Sequence, residues 1–280
     1  MSSVGAPIDA LPATRGRSWL KRLANRYLVL SLFWCSVVLI VIVWWPLAQE
    51  QLALIDWSRP LWNQLDWLLF GIFAAMSVLI LVGTDLKADL LIFGVGMAGG
   101  LVIESWGTQT NLWHYYTAER PPLWIIPAWP IASLSIDRLY RFLNRLLPHA
   151  EQRAGPFKTL YWLIFPAFYG LMLFYVWPTV DRSLTLASLA LCAFLILTPV
   201  DHRAMVLTFI AGAGLGYFLE LWGTTRECWT YYTAETPPFF AVLAHGMAAV
   251  AFWRTGRVLI LLFRNLPPLL KRQSRLLDRS

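Results

Sequence analysis

The chain has 280 residues, of which 58% are hydrophobic and 14% are charged, and its mean hydropathy is +0.55. A soluble globular domain carries about a quarter charged residues, so this composition excludes an ordinary water-soluble protein. The formal net charge of +7 comes from basic residues that lie between apolar runs, and it does not indicate a nucleic-acid partner.

Apolar runs long enough to cross a hydrocarbon core of ~30 Å follow one another along the chain. They predict an all-α fold, a polytopic membrane helical bundle. The eight transmembrane helices are expected at about 27–48, 67–84, 90–106, 123–142, 159–178, 184–200, 204–222 and 239–262. The first 26 residues are polar and basic, and no small-residue cleavage site ends the run after them, so we expect no cleaved signal peptide.

The charges of the loops orient these helices. When the N-terminus is placed in the cytoplasm, only four of the 23 Lys and Arg residues fall on the outer side, namely Arg59, Arg120, Arg182 and Arg226. Basic residues concentrate in cytoplasmic loops of membrane proteins. Both termini are therefore predicted to be cytoplasmic.

One motif occurs twice. The stretch ESWGTQTNLWHYYTAERPP begins at Glu104 and ELWGTTRECWTYYTAETPP begins at Glu220, an offset of 116 residues, and 12 of the 19 positions are identical. The same offset relates Asp85 to Asp201, which open spans three and seven as helix caps. We predict a tandem duplication of a four-helix unit, with parallel repeats because each unit has an even number of spans. The predicted segments are a basic cytoplasmic tail (1–26), the first repeat (27–145), a cytoplasmic linker (146–158), the second repeat (159–263) and a second basic cytoplasmic tail (264–280).

Glycines precede each glutamate of the motif at helical spacing. Gly96 and Gly100 form a small-xxx-small pair, and Glu104 follows four residues later on the same helix face. The same pattern precedes Glu220. Because small residues let helices approach closely, we expect spans three and seven to be central, to pack on each other and to point both carboxylates inward.

Two interpretations of these glutamates remain open. An ionisable side chain in a membrane helix usually faces a cavity and has a function, and a neutral carboxylic acid in a dry aromatic setting could donate a proton. Alternatively, each glutamate accepts hydrogen bonds from the loop that follows it, for example from the Thr108 or Thr224 hydroxyl, and holds that loop in place. His245 lies at the depth of Glu220, where the first repeat has Trp129, and it is either a catalytic group or a satisfied core histidine.

The aromatic residues of the motif also have two interpretations. Tyr and Trp accumulate at membrane interfaces, but their fixed order in both copies indicates either a specific loop fold or a site lined by rings. The candidate ligand-binding residues are Trp106, Trp113, Tyr115, Tyr116, Trp129, Trp222, Trp229, Tyr231 and Tyr232, and the candidate catalytic residues are Glu104, Glu220 and His245. No metal-ligand spacing, phosphate-binding loop, GxSxG or dinucleotide motif occurs, so neither a metal nor a cofactor is predicted.

A proton-donating acid in an aromatic cavity that is open to lipid is suited to protonating an alkene. Aromatic faces would stabilise the resulting carbocation by cation–π attraction of ~2 kcal/mol. This chemistry predicts a lipid or isoprenoid ligand that reaches the site from the bilayer.

The pattern E-x-W-G-T-x4-W-x-Y-Y-T, followed in the first copy by PPLWIIPAWPIA from Pro121 to Ala132, resembles that of bacterial integral-membrane carotenoid biosynthesis proteins of the bisanhydrobacterioruberin hydratase type. More distantly it is similar to the membrane lycopene cyclases. The resemblance covers about 30 residues per half, and it lacks the glycine expected at Asn111–Leu112 and at Glu227–Cys228. It implies a lyase or isomerase in the bacterial inner membrane, with Glu104 as the preferred acid.

Two rival functions belong to other classes. Parallel repeats are common in transporters, which bind substrates at the repeat interface. A non-catalytic subunit of a larger membrane complex would use the Trp- and Tyr-rich loops as a docking surface for other membrane subunits.

Overall fold

The computed structural model describes residues 14–53, 55–81, 83–147 and 154–264. These residues form eight α-helices and one two-stranded sheet, which confirms the all-α fold class. The helices are α1 (Thr14–Ala53), α2 (Trp67–Leu81), α3 (Leu86–Gln109), α4 (Ala128–Leu146), α5 (Ala154–Val176), α6 (Ser183–Leu197), α7 (His202–Thr225) and α8 (Phe239–Arg264), and the strands are β1 (Trp113–Tyr115) and β2 (Trp229–Tyr231). The predicted basic tail after 264, the first 13 residues of the other tail and positions 148–153 of the predicted linker lie outside the described residues.

Three of the described helices are long and apolar enough to cross a membrane. They are Leu86–Gln109, Gly155–Thr179 and His202–Thr225, and shorter apolar helices cover Ala24–Val38, Trp67–Leu81 and Ser183–Leu197. Large apolar side chains point outward from them, and those of Val102 and Phe174 are 65% and 82% exposed. Such a surface is suited to lipid and not to water.

The second half of the chain repeats the element boundaries of the first at the offset of 116 residues. This holds for α2 and α6, for α3 and α7, and for the two strands. The α3 and α7 helices start at the same place because the Asp85 carboxylate accepts the main-chain N–H groups of Lys87 and Ala88, and the Asp201 carboxylate accepts that of Ala204. The predicted acidic caps are thus confirmed.

Three predicted helix starts differ from the structure by five residues or more. Helix α5 begins at Ala154 and not near 159. Helix α4 begins at Ala128 and not near 123, because Pro127 occupies its N-cap and Pro130 lies in its first turn. Proline has no N–H and is best tolerated in the first turn of a helix, so α4 begins where these prolines fit. Helix α1 begins at Thr14, within the segment that was expected to be a tail.

Helices α3, α4, α7 and α8 form the centre of the bundle. Helix α3 packs mainly on α4 and α7 mainly on α8, with cross contacts of α4 to α7 and of α3 to α8. The expectation that α3 and α7 pack chiefly on each other is therefore wrong. Their glycines instead make room for the partner helix: a Cβ at Gly100 would overlap the Trp129 side chain, and one at Gly216 would overlap that of His245.

The two strands pair with each other across the halves. They are antiparallel, and the partners are Trp113 with Tyr231, His114 with Thr230 and Tyr115 with Trp229. His114 and Thr230 are equivalent positions in the two motif copies, so the register is symmetric about this central pair. The strands were not predicted from the sequence, and they bring the two copies of the motif into direct contact.

Candidate functional site

The Glu104 carboxylate is held by three hydrogen-bond donors. Its Oε2 accepts from Trp113 Nε1 at 3.0 Å and from the Tyr115 hydroxyl at 2.9 Å, and its Oε1 accepts from Trp129 Nε1 at 3.0 Å. The residue is only 4% exposed although it carries a carboxylate. Buried carboxyl groups are tolerated when they are hydrogen-bonded in this way.

The Glu220 carboxylate has the corresponding partners of the second copy, with one difference. Its Oε2 accepts from Trp229 Nε1 at 2.9 Å, and its Oε1 lies 2.8 Å from the Tyr231 hydroxyl. The third partner is His245 Nε2, 2.8 Å from the same Oε1, where the first copy has the Trp129 indole. An indole N–H can only donate, whereas an imidazole nitrogen can donate or accept.

The strands explain why the motif contains Trp-x-Tyr. Side chains two residues apart in a strand lie on the same face, so Trp113 and Tyr115 both point to Glu104 while His114 is exposed. Burial raises the pKa of Tyr115 and of Tyr231 well above the usual value of a phenol, so both hydroxyls remain protonated. The aromatic order therefore reflects a fixed set of donors and not only an interfacial belt.

Each glutamate accepts hydrogen bonds from the segment that follows it, as one interpretation expected, but the donors are Trp and Tyr side chains and not the Thr108 or Thr224 hydroxyl. The Thr108 hydroxyl donates to the main-chain carbonyl oxygen of Glu104 at 2.6 Å, and the Thr224 hydroxyl does the same for Glu220. Both bonds join residues four positions apart along a helix. They stabilise the last turn of α3 and of α7 and leave the carboxylate oxygens available to other donors.

Gly107 and Gly223 belong to the site and were not singled out in the sequence. A Cβ at Gly107 would overlap the six-membered ring of Trp113, and one at Gly223 would overlap that of Trp229. Each glycine thus lets an indole lie flat on the helix so that its N–H reaches the glutamate. The signal was present in the sequence, since both glycines follow a tryptophan at the same place in the two motif copies.

The loop between helix and strand has the same backbone in both copies. Asn111 and Glu227 have φ of 61° and 54°, in the left-handed region that glycine favours. Each follows the helix end, and the next residue donates its N–H back to Gly107 or Gly223, which closes the helix. These are the positions at which the family resemblance led us to expect a glycine.

The two glutamate sites are neighbours. The Trp129 ring stacks on the His245 ring with a centroid distance of 5.6 Å and an interplanar angle of 17°. Each of these rings also binds the glutamate of its own half. The two carboxylates are therefore connected through one aromatic stack at the interface of the halves.

Both carboxylates face one cavity of about 510 Å³ that is almost entirely apolar. A volume of this size accommodates a small-molecule ligand. Residues of both halves line it, including Ile72 and Met76 of α2 and their counterparts Ser188 and Cys192 of α6. The Phe, Tyr and Trp residues in its wall are Phe73, Trp106, Trp113, Tyr115, Trp124, Trp129, Phe168, Trp222, Trp229, Tyr231 and Phe240.

Four of the candidate aromatic residues do not bind a glutamate. Trp106 and Trp222 line the cavity, but their indoles donate to Thr185 Oγ1 at 3.2 Å and to Asp66 Oδ2 at 2.8 Å. Tyr116 and Tyr232 are not part of the cavity wall and are 42% and 44% exposed. The doubled tyrosine of the motif is thus divided between the site and the outer surface, because neighbouring residues point in different directions.

No group of three or more His, Cys, Asp or Glu side chains with a metal-binding arrangement occurs among the described residues. The chemical groups of the site in this part of the chain are two carboxylates, one imidazole, phenols and indoles.

The different hydrogen-bond partners of Glu104 and Glu220 predict different effects when each glutamate is replaced by glutamine. In Glu104→Gln, either orientation of the amide directs its NH₂ group at an indole N–H that can only donate. In Glu220→Gln, the amide oxygen can accept from Trp229 while the NH₂ group donates to Tyr231 or His245. We expect Glu104→Gln to be less stable than Glu220→Gln by about 1–3 kcal/mol, the cost of an unsatisfied buried donor.

Thermal and denaturant unfolding of the two variants in the same detergent would measure this difference. Each variant removes one buried carboxylate, so the difference in stability between them reports the amide NH₂ group that faces an indole N–H in Glu104→Gln alone. Equal stabilities would contradict the expectation.

Comparison of the chain with protein-family models, with curated proteins and with solved structures found no match.

Proposed function

We propose that the chain is an integral membrane enzyme that protonates a carbon–carbon double bond of a polyisoprenoid, as a hydratase or a cyclase of the carotenoid type does. The observation that carries this proposal is the pair of buried glutamates in the wall of an apolar, aromatic cavity. An apolar cavity favours a hydrocarbon substrate. The carboxylates provide the acid and base chemistry that such a substrate needs.

The partners of the glutamates support different roles for the two copies. Two of the three donors to Glu104, Trp113 and Trp129, are indoles that cannot take up a proton, so we give Glu104 the role of stabilising developing positive charge. Glu220 Oε1 lies 2.8 Å from His245 Nε2, and an imidazole nitrogen can either donate or accept a proton. We therefore assign the proton donor to the Glu220–His245 pair, in place of the acid Glu104 that the family resemblance implied.

In this mechanism the proton of the Glu220–His245 pair bonds to one alkene carbon through the π electrons, and the other carbon becomes a cation. The Glu104 carboxylate and the faces of the surrounding Trp rings stabilise that cation; a desolvated cation–π contact contributes ~2 kcal/mol. In a hydratase, water adds to the cation and returns a proton to the pair. In a cyclase, an internal double bond attacks the cation, and loss of a proton from the adjacent carbon regenerates the pair.

The proposal includes a membrane arrangement. The chain would cross the bacterial inner membrane eight times as a tandem duplication of a four-helix unit, with both termini in the cytoplasm. The distribution of basic residues and the equal element boundaries of the two halves support it. Both glutamates would then lie near the outer face, at the ends of α3 and α7.

Two variants test the proton donor and still place a hydrogen-bonding side chain at each position. Glu220→Gln keeps the hydrogen bond from Trp229 and can donate to Tyr231 or His245, and His245→Trp places the donor-only residue of the first half in the second. Both should fold and lower turnover by at least ~10²-fold, since general acid catalysis contributes about that much. Tyr232→Phe, which lies outside the cavity, is the matched control and should keep full turnover.

The assay uses the purified protein in detergent, with lycopene as the probe, in D₂O. Protonation by the enzyme predicts a product with one deuterium bound to carbon, which mass spectrometry detects. Organic extraction of the untreated protein should also release a bound isoprenoid. If neither a deuterated product nor a bound isoprenoid appears, the proposal is wrong, and the transporter and docking-subunit functions take its place.

A further inference from the structure

A second cavity lies away from the glutamates, towards the end of the bundle where α4 and α8 finish. Its volume is about 190 Å³, and side chains of α3, α4 and α8 form most of its wall. The apolar part of the wall includes Leu91, Ile92, Val95 and Phe252. None of the residues discussed for the glutamate site lines it.

The two halves differ at a position in the wall of this cavity. Tyr140 of α4 corresponds to Gly256 of α8, and both residues line the cavity. A Cβ at Gly256 would meet nothing closer than Leu91 Cδ2 at 3.9 Å, so the space beyond it is open. The volume that a second tyrosine ring would fill is thus left free on the α8 side.

The rim of the cavity has a positive charge that is not neutralised by described residues. Asp137, Arg141 and Arg257 are the charged residues in the wall. Asp137 is already shared by Arg138 and by Arg141, the latter at 2.9 Å. Arg257 is exposed, its guanidinium lies over the Trp253 ring at 5.0 Å from the ring centroid, and it makes no hydrogen bond or ion pair with any described residue.

A hydroxyl group without a partner lies deeper in the same cavity. Thr208 is 3% exposed, lines the cavity, and its Oγ1 has no hydrogen-bond partner among the described residues. Gly212 of α7 faces Ala249 of α8; Thr208 lies four residues from the first and Arg257 eight residues from the second in the same direction, so Thr208 is deeper by about four residues, or ~6 Å. A buried hydroxyl without a partner is costly, so a ligand with an acceptor at this depth would stabilise it.

We propose that this cavity binds an anionic phospholipid. Its phosphate lies at Arg257 and Arg141, an ester carbonyl accepts from the Thr208 hydroxyl, and one acyl chain fills the apolar part between α3 and α8. Basic pockets between membrane helices bind anionic headgroups in this way. The inference goes beyond the proposed enzyme chemistry and does not depend on it.

Native mass spectrometry of the detergent-purified protein, titrated with phosphatidylglycerol, tests the site. Arg257→Gln removes the free charge and should weaken binding at least ~10-fold, since a lost charge-assisted hydrogen bond to phosphate costs that much. Gly256→Leu fills the cavity and should weaken binding at least ~10-fold because the lipid then has no room. Arg226→Gln, at the opposite end of α7, is the matched control for the loss of one positive charge and should bind like the parent. Gly256→Ala should fold and bind normally because its Cβ has room.

Phosphatidylcholine tests whether the net negative charge of the lipid is needed for binding, and inorganic phosphate tests whether the phosphate group alone is enough. The proposal predicts weaker binding of phosphatidylcholine and no displacement of phosphatidylglycerol by equimolar phosphate. Equal binding of the two lipids, undiminished binding in both Arg257→Gln and Gly256→Leu, or displacement by phosphate alone would each overturn it.

Discussion

Replacing Arg138 by Met is expected to lower the free energy of unfolding by about 3–5 kcal/mol, the cost of leaving a buried charge without its partner. The Arg138 guanidinium donates to Asp89 Oδ1 at 2.7 Å and also to Asp137. The side chains of Arg138 and Asp89 are both only 2% exposed. Asp137 keeps Arg141 in the variant, whereas Asp89 keeps only the main-chain N–H of Asp85.

The second half of the chain provides the matched control. Arg254 corresponds to Arg138, but Met205 stands where the first half has Asp89. Arg254 instead donates to the Leu195 carbonyl oxygen at 2.7 Å and to Thr198 Oγ1 at 3.1 Å. Arg254→Met leaves no carboxylate unpaired, so we expect a smaller loss of about 1–2 kcal/mol.

A double variant separates the buried charge from the lost packing of the arginine. Asp89→Asn combined with Arg138→Met should recover most of the lost stability, since neutral or apolar replacements of a buried ion pair are often tolerated. Unfolding in detergent, monitored by tryptophan fluorescence, measures all three variants. If Arg138→Met costs no more than Arg254→Met, the ion pair does not contribute as described.

The sequence predicted much of the fold because the physical signals for membrane helices are local. Long apolar runs and the acids Asp85 and Asp201 mark where α3 and α7 begin, and the structure has them there. The burial of Glu104 also followed from a local pattern, since Gly100 lies four residues earlier on the same helix face. Both predictions needed only the periodicity of one helix.

The contacts between elements were not accessible in the same way. The pairing of β1 with β2 depends on two short segments more than a hundred residues apart, and neither is long enough to show a strand pattern. The partners of the glycine-lined faces of α3 and α7 depend on how helices pack in three dimensions. The local sequence shows that one face of a helix carries small residues, but it does not show which helix packs on that face.

The differences between the halves carry more chemical information than their similarity. Trp129 and His245 occupy equivalent positions, stack on each other and bind equivalent glutamates. Only the imidazole can accept as well as donate a proton, so the proposed mechanism assigns the proton donor to one copy and the stabilisation of the cation to the other. A single changed partner would thus give the two copies different roles.

Replacing Gly107 by Ala is expected to be as damaging as removing a buried tryptophan, about 3–5 kcal/mol. The added Cβ would overlap the Trp113 ring, and the ring cannot move aside without losing its bond to Glu104. Gly223→Ala should have the same effect through Trp229 and Glu220, because the backbone of the two copies is equivalent there. Thermal unfolding in detergent measures both losses.

Glycines elsewhere in the same helices are the controls for this prediction. A Cβ at Gly94 of α3 or at Gly214 of α7 would meet no atom within 4 Å. Alanine at these positions should be neutral or should stabilise the helix by up to ~1 kcal/mol through its higher helix propensity. Unchanged stability in Gly107→Ala would mean that the indole does not lie on the helix, and the hydrogen bond from Trp113 to Glu104 would then have to be abandoned. The overlap arises in both copies, so Gly107→Ala and Gly223→Ala should lose stability to the same extent. The Gln variants of the two glutamates should instead differ in stability. This contrast separates the backbone arrangement that both halves share from the proton chemistry that the proposed function assigns to one half.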